Sequence, residues 1–176
     1  MSPDWHSFVN VEGPRLFKYF LARFDTQTAD DLVQEVLIRL VRKVRSGEFD
    51  PSRGSMTALS FGIAHNMARE AFRDKKRSLE DPSSDGFHDE EISSEIPHID
   101  EALCQDQELM RLRSAITKLS TSEQEVISLL IGQDLPLPEI GTALNLPLNT
   151  VKSHIHRAKA KLRHELIKSV STRKEI

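Results

Sequence analysis

From Leu137 to Lys159 the chain reads LPEIGTALNLPLNTVKSHIHRAK, and this stretch decides the fold. Pro138 suits the first turn of a short helix, Glu139 to Leu144, because its missing N–H is one that a helix start leaves unpaired. Asn145-Leu146-Pro147-Leu148 reads as a tight turn. Asn149 or Thr150 then caps a last helix that reaches about Ile167. In that helix Val151, Ile155, Ala158, Leu162 and Leu166 step by four, three, four and four, a single apolar stripe at helical period. The opposite face carries Lys152, Ser153, His156, Lys159 and Arg163, with Arg157 and Lys161 at its borders. From residue 150 onward there are eight Lys or Arg and only two acids. A short helix, a tight turn and a second helix with a polar, basic outer face make a helix-turn-helix. The major groove of DNA admits one helix, and its base edges present a distinct donor and acceptor pattern. Asn149, Thr150, Lys152, Ser153 and His156 are therefore candidate base readers. Arg157, Lys159, Lys161 and Arg163 are candidate clamps on the phosphate backbone. His154, His156 and His164 have no carboxylate or thiolate partner at ligand spacing, so no metal site is expected.

Outward from this segment the same helical spacing recurs, and alternating runs of β-branched residues are missing. The fold class is all-α, with two small helical domains joined by an acidic flexible linker. Residues 1–77 form the first domain, 78–100 the linker and 101–176 the domain that ends in the helix-turn-helix. In the first domain an opening helix carries Trp5, Phe8, Leu16, Phe17, Phe20, Leu21 and Phe24, and Gly13-Pro14 is a candidate interruption. A second helix starts at Thr28, with Asp30 and Asp31 as first-turn acids. Its stripe is Val33, Val36, Leu37, Leu40, Val41 and Val44, and Gly47 is its stop. Phe49 to Ser55 is a loop of turn formers, followed by a third helix from about Met56 to Lys76. In the second domain a helix spans Glu101 to Lys118. Ser120-Thr121-Ser122-Glu123 is a capping box, which opens a helix burying Val126, Ile127, Leu129 and Leu130.

The net charge of −3 hides a basic, acidic, basic order. Between Arg77 and Arg111 there is no Lys or Arg, and eleven acids occupy the stretch. Without those eleven, 16 acids face 24 cations, a balance of +8. Basic flanks suit a polyanion partner. The Ser, Asp, Glu, Pro and Gly content of 78–100 cannot support a core. Cys104 is the only cysteine, so no internal disulfide forms. The N-terminus has neither a basic n-region nor an apolar h-region, and no run approaches the roughly 20 apolar residues of a membrane span. A cytoplasmic protein without membrane insertion is expected. No Gly-rich phosphate loop, nucleophile motif or paired-carboxylate constellation points to an enzyme, and no cofactor is expected.

Three further motifs narrow the choice among DNA-binding proteins. Ala29-Asp30-Asp31-Leu32-Val33-Gln34-Glu35-Val36, Ile63-Ala64-His65-Asn66 and Arg73-Asp74-Lys75-Lys76-Arg77 closely resemble region 2 of the extracytoplasmic-function (ECF) sigma factors. The segment from Leu137 to Lys159 resembles their region 4. The resemblance implies that Asp30, Asp31, Gln34 and Glu35 dock on the clamp helices of core RNA polymerase, where their charge suits a basic partner surface. It implies that the loop with Phe49 and Arg53 takes up a base flipped from the −10 promoter element. Asn66, Arg69, Arg73, Lys75, Lys76 and Arg77 would follow that DNA, and the helix-turn-helix would read the −35 element. Phe61 is read as core. Two positions depart from the family pattern: Leu59, where Trp is frequent, and Gly62, where a larger or basic residue is frequent. The acidic linker would thread the polymerase channel as a nucleic-acid mimic, or serve as a solubilising spacer. A possible anti-sigma factor completes the implied partners, beside core RNA polymerase and promoter DNA.

Overall fold

The computed structural model describes residues 3–79 and 107–171, with side chains over 3–74, 111–112 and 114–167. The described residues form seven α-helices and no strand. These are α1 (Trp5–Leu21), α2 (Thr26–Arg45), α3 (Met56–Leu79), α4 (Gln107–Thr117), α5 (Thr121–Ile127), α6 (Leu137–Leu144) and α7 (Leu148–Ser171). The all-α expectation holds. The acidic stretch lies outside the described residues from Glu80 to Asp106.

Several boundaries differ from the sequence expectation, each for a local reason. Pro14 sits inside α1 without interrupting it. The helix loses one N–H bond there, but Leu16, Tyr19 and Phe20 beyond it are buried and hold the next turns to the core. α2 starts at Thr26, because Asp25 and not Thr28 is its cap: Asp25 Oδ1 accepts from Thr28 N at 3.0 Å and Oδ2 from Thr28 Oγ1 at 2.8 Å. Asp30 and Asp31 therefore stand beyond the first turn. Gly47 does end α2, in the left-handed conformation (φ 78°) that a glycine adopts without a Cβ penalty. The Ser120–Glu123 capping box forms as read. After Ile127 the chain widens into one π-turn, Ser128–Gly132, which periodicity did not signal. Asn145 makes the turn of the helix-turn-helix with φ 54°, and α7 already begins at Leu148, so Asn149 and Thr150 lie in its first turn and are not its cap.

The apolar stripes meet in one core that both segments share. Leu16 and Phe20 of α1, Val36 and Leu40 of α2 and Phe61 and Ala64 of α3 join Val126, Leu129, Ile140 and Val151 of the second segment. Phe20 and Phe61 are fully buried, each contributing about 1.5–3 kcal/mol of transfer free energy. The most extensive pairing is α3 against α6, which crosses between the segments. Polar groups close the same seam. Glu12 is 5% exposed; its carboxylate accepts from Arg15 at 2.8 and 2.9 Å and from Thr57 Oγ1 at 2.8 Å. Arg15 also donates to the carbonyl of Gln133, and Arg23 Nη2 to Ser128 Oγ at 3.0 Å.

His65 of α3 and Glu125 of α5 face each other across this seam, 3.5 Å apart, beside an apolar cavity of about 310 Å³. Burial pushes the Glu125 carboxyl up to about 7, against the opposing pull of Arg69 and Arg23. Burial, aided by those same cations, pushes His65 down to about 4. The pair is thus neutral on both sides over much of the acid range and not an ion pair. The stability that neutral Glu125 contributes is complete below its ordinary value of 4.5 and lost as pH rises through 7. The His65 contribution is complete above 6.5 and lost as pH falls through 4. Relative to the parent, Glu125→Gln should gain stability steadily from pH 4.5 to 7 and level off above, by about 1–3 kcal/mol. Urea midpoints at pH 5, 6 and 8 measure this, and a constant offset across them would contradict the assigned burial.

Candidate nucleic-acid interface

Three surfaces carry the residues singled out by sequence. On α2, Asp30, Asp31 and Gln34 are exposed and Glu35 is half-buried, because Ala29, Val33 and Val36 turn the other way into the core. The polar groups are held in register by their own neighbours: Gln34 Nε2 donates to Asp30 Oδ2 at 2.9 Å, and Arg39 Nε to Glu35 Oε1 at 2.8 Å. Ile38 is 45% exposed on the same side, one turn beyond Gln34. It stands outside the stripe of Val33, Val36, Leu37, Leu40, Val41 and Val44 and carries no charge, so the sequence leaves it unmarked.

The second surface is the loop after α2 and the outer face of α3. Asp50 shapes the loop: its Oδ1 accepts from Ser52 N at 2.9 Å and Ser52 Oγ at 2.7 Å, bonds that hold its carboxyl below the usual range. Phe49 is half-buried and Arg53 exposed. Asn66, Arg69 and Arg73 share an exposed face of α3 at steps of three and four, opposite the buried Ala64, Met67 and Ala68. Lys75, Lys76 and Arg77 continue α3, and their side chains lie outside the described residues. Phe61 is fully buried, as read. The loop is not open on all sides. Thr142 Oγ1 donates to the Arg53 carbonyl at 3.2 Å, and residues 145–148 of the helix-turn-helix line one groove with Phe49, Asp50 and Arg53.

The third surface is α7. Val151, Ile155 and Ala158 are buried, while Asn149, Lys152, Ser153, His156, Lys159 and Arg163 are exposed and Thr150 is half-buried. The cations are not equivalent. Glu123, 2% exposed, receives Lys161 Nζ at 2.8 Å and lies 3.8 Å from Arg157 Nε. Burial raises the Glu123 carboxyl, but the bonds from Lys161 and Ser120 outweigh it and the net shift is downward. Lys161 and Arg157 thus help to seat α7 on α5. Their position at the borders of the stripe was visible in the sequence; their acidic partner, 38 residues from Lys161, was not.

A family model described as Sigma-70 region 2 matches residues 10–78, and one described as Sigma-70, region 4 matches 109–162. The chain is 35% identical over 144 residues to the ECF RNA polymerase sigma factor SigW of Bacillus subtilis (strain 168), covering 78% of this chain and 75% of SigW. It is 28% identical over 137 residues to the ECF RNA polymerase sigma factor EcfG of Rhodopseudomonas palustris (strain TIE-1), covering 76% and 68%. Among solved structures, CnrH in complex with the cytosolic domain of CnrY aligns with a TM-score of 0.60 at 26% identity, over 93% of this chain and 88% of that one. The sigma factor RpoE in complex with the anti-sigma factor NepR from Bartonella quintana shares the fold, with a TM-score of 0.66 at 23% identity over 93% and 96%.

Glu123 sets Lys161 and Arg157, which it engages, apart from the exposed Lys159 and Arg163 of α7. Glu123→Gln should weaken the hold on Lys161 and lower stability by about 1–3 kcal/mol, while affinity for duplex DNA at low salt stays equal or rises. A loss of DNA affinity in a variant that remains folded by circular dichroism would show that the Glu123 pair positions the DNA-facing side chains.

Proposed function

The chain belongs to the ECF sigma factors of the sigma-70 family, and from that premise we propose that it binds core RNA polymerase and carries it to a promoter through three separate surfaces. The exposed face of α2, with Asp30, Asp31, Gln34, Glu35 and Ile38, docks on the polymerase. The loop with Phe49 and Arg53, and the α3 face with Asn66, Arg69, Arg73, Lys75, Lys76 and Arg77, hold the opened −10 element. The outer face of α7 reads the −35 element, with Asn149, Thr150, Lys152, Ser153 and His156 toward bases and Lys159 and Arg163 toward phosphates, while Arg157 and Lys161, held by Glu123 at the border of that face, add to the phosphate contacts only in second place.

The observation that supports this reading most is the sorting of side chains on α2, α3 and α7. Asp30, Asp31 and Gln34 on α2, Asn66, Arg69 and Arg73 on α3, and Lys152, Ser153, His156 and Lys159 on α7 are exposed, while the opposite face of each helix is buried. A polar face at the start of α7 suits base readout, since residues near the N-terminus of a recognition helix reach furthest into the major groove. An anti-sigma partner belongs to the proposal, because CnrH, alike in sequence and fold, is described in complex with the cytosolic domain of CnrY. The reading assigns the chain no catalytic step and places it in the cytoplasm, where core polymerase is found; among the described residues no helix is long and apolar enough to cross a membrane.

Two substitutions test the division of labour. Asp31→Lys should abolish co-elution with core polymerase on size exclusion and leave duplex binding intact. Lys152→Ala should keep co-elution and weaken binding to −35 duplex by about 1–3 kcal/mol. Unchanged co-elution of Asp31→Lys would remove α2 from the docking assignment.

A further inference from the structure

We propose that the cavity beside His65 and Glu125 is a binding site for a small amphipathic carboxylate, an apolar chain or ring that ends in one carboxylate group. The site is separate from the three surfaces assigned to polymerase and DNA, and the inference does not rest on the sigma reading.

The cavity holds about 310 Å³, a size at which proteins seat small ligands. A helix with its side chains is about 10–12 Å across, so a protein partner could place only single side chains in this space. The wall is apolar: Ala22 at the end of α1, Ala68 and Phe72 of α3, Ile116 of α4, Ile127 of α5 and Leu162 of α7 contribute to it. Ile131 of the π-turn also lines the cavity and is 72% exposed, which places it at the mouth. An apolar ligand body that covered this wall and rim would gain the transfer free energy they now lack.

Three polar side chains interrupt the apolar lining. Tyr19 is 3% exposed, and the charges that act on its hydroxyl, Arg23 and Glu125, both belong to the cavity. His65 Nδ1 and Glu125 Oε1 stand 3.5 Å apart, too far for a good hydrogen bond. Among the described residues the side chains of Tyr19, His65 and Glu125 make no hydrogen bond. Buried polar groups are nearly always bonded, and three exceptions around one cavity call for the polar group of a ligand.

Charge selects the kind of ligand. The titratable groups of the lining are Tyr19, Arg23, His65, Arg69 and Glu125. Arg23 lies 3.9 Å from the centre of the Tyr19 ring and donates to the Tyr19 carbonyl at 2.7 Å and to Ser128 Oγ at 3.0 Å, all neutral groups. Neither Arg23 nor Arg69 has an acid partner among the described residues. Burial keeps the proton on Glu125 up to about pH 7 and keeps His65 neutral above about 4. In that window the wall carries two cations and no anion. A carboxylate among Tyr19, His65 and Glu125 accepts from the phenol and from the protonated Glu125, while the two guanidinium groups balance its charge.

The test is a titration of the full chain with octanoate, followed by the amide resonances in NMR. Saturable shifts at the cavity residues Ala22, Ala68 and Gly132 are expected, with the outer face of α7 unmoved. Tyr19→Phe, which deletes only the hydroxyl, should weaken binding about tenfold. Ala22→Trp, which fills the space from a half-buried position, should abolish it, with helicity retained by circular dichroism in both variants. Affinity should fall as pH rises through about 7, where Glu125 ionises against the ligand, and should stay level in Glu125→Gln. Unsaturable shifts spread over the surface, or binding that survives Ala22→Trp, would overturn the site. Octanol bound as tightly as octanoate, or equal affinities in the parent and Tyr19→Phe, would overturn the carboxylate assignment.

Discussion

Everything in this molecule depends on how closely α3 and α6 approach. Buried side chains of both segments belong to one cluster. The stripe on α3 that includes Phe61 and Ala64 is covered from one side by α1 and α2 and from the other by Ile140 and Ala143 of α6. Small residues at the crossing, Gly62 facing Ala143, bring the two backbones so close that a Cβ at position 62 would stand 3.0 Å from the Ala143 carbonyl oxygen. Dense interiors lose attraction steeply with gaps of half an ångström or more, so the whole seam is sensitive to this single crossing.

The same crossing sets the electrostatics of the interior. His65 and Glu125 are brought together where burial raises the Glu125 carboxyl and lowers His65, so that each favours its neutral form. Glu12 and Glu123 solve the problem of a buried carboxylate differently. Each carboxylate is met by a cation and by a hydroxyl or amide donor: Arg15 and Thr57 Oγ1 for Glu12, Lys161 and the Ser120 backbone N–H for Glu123. A buried carboxylate with several donors is a fixed point of a fold, since removing one donor exposes the cost of burying the charge.

Much of this was legible along the chain. The stripes on α2 and α7, the capping box at Ser120 and the glycine stop at Gly47 are local patterns, and local patterns survive in the fold because each stripe finds some apolar partner. What sequence could not supply was the choice of partner. Asp25, unmarked along the chain, is the cap of α2 because its carboxylate accepts from both Thr28 N and Thr28 Oγ1, so the helix opens two residues before Thr28. Glu12 reads as a surface residue until Arg15 and Thr57 are seen to enclose it. The covering of the Arg53 loop by Thr142 joins residues 89 apart, with no periodicity connecting them. The candidate site was thus visible as three lists of outward side chains, but the contact between two of those lists was not.

The carboxylate of Glu123 has a consequence for how the chain would sense its ionic surroundings. Every phosphate met by a Lys or Arg releases condensed counterions, which makes binding fall with salt by about 0.9 in the logarithmic slope per contact. A count of basic residues on α7 would suggest a steep dependence. Lys161 and Arg157, however, are already compensated from within by Glu123, and ions so compensated contribute less to the exchange. Recognition by this helix would then lean on hydrogen bonds to base edges more than on displaced salt, a balance that keeps affinity steadier as ionic strength changes.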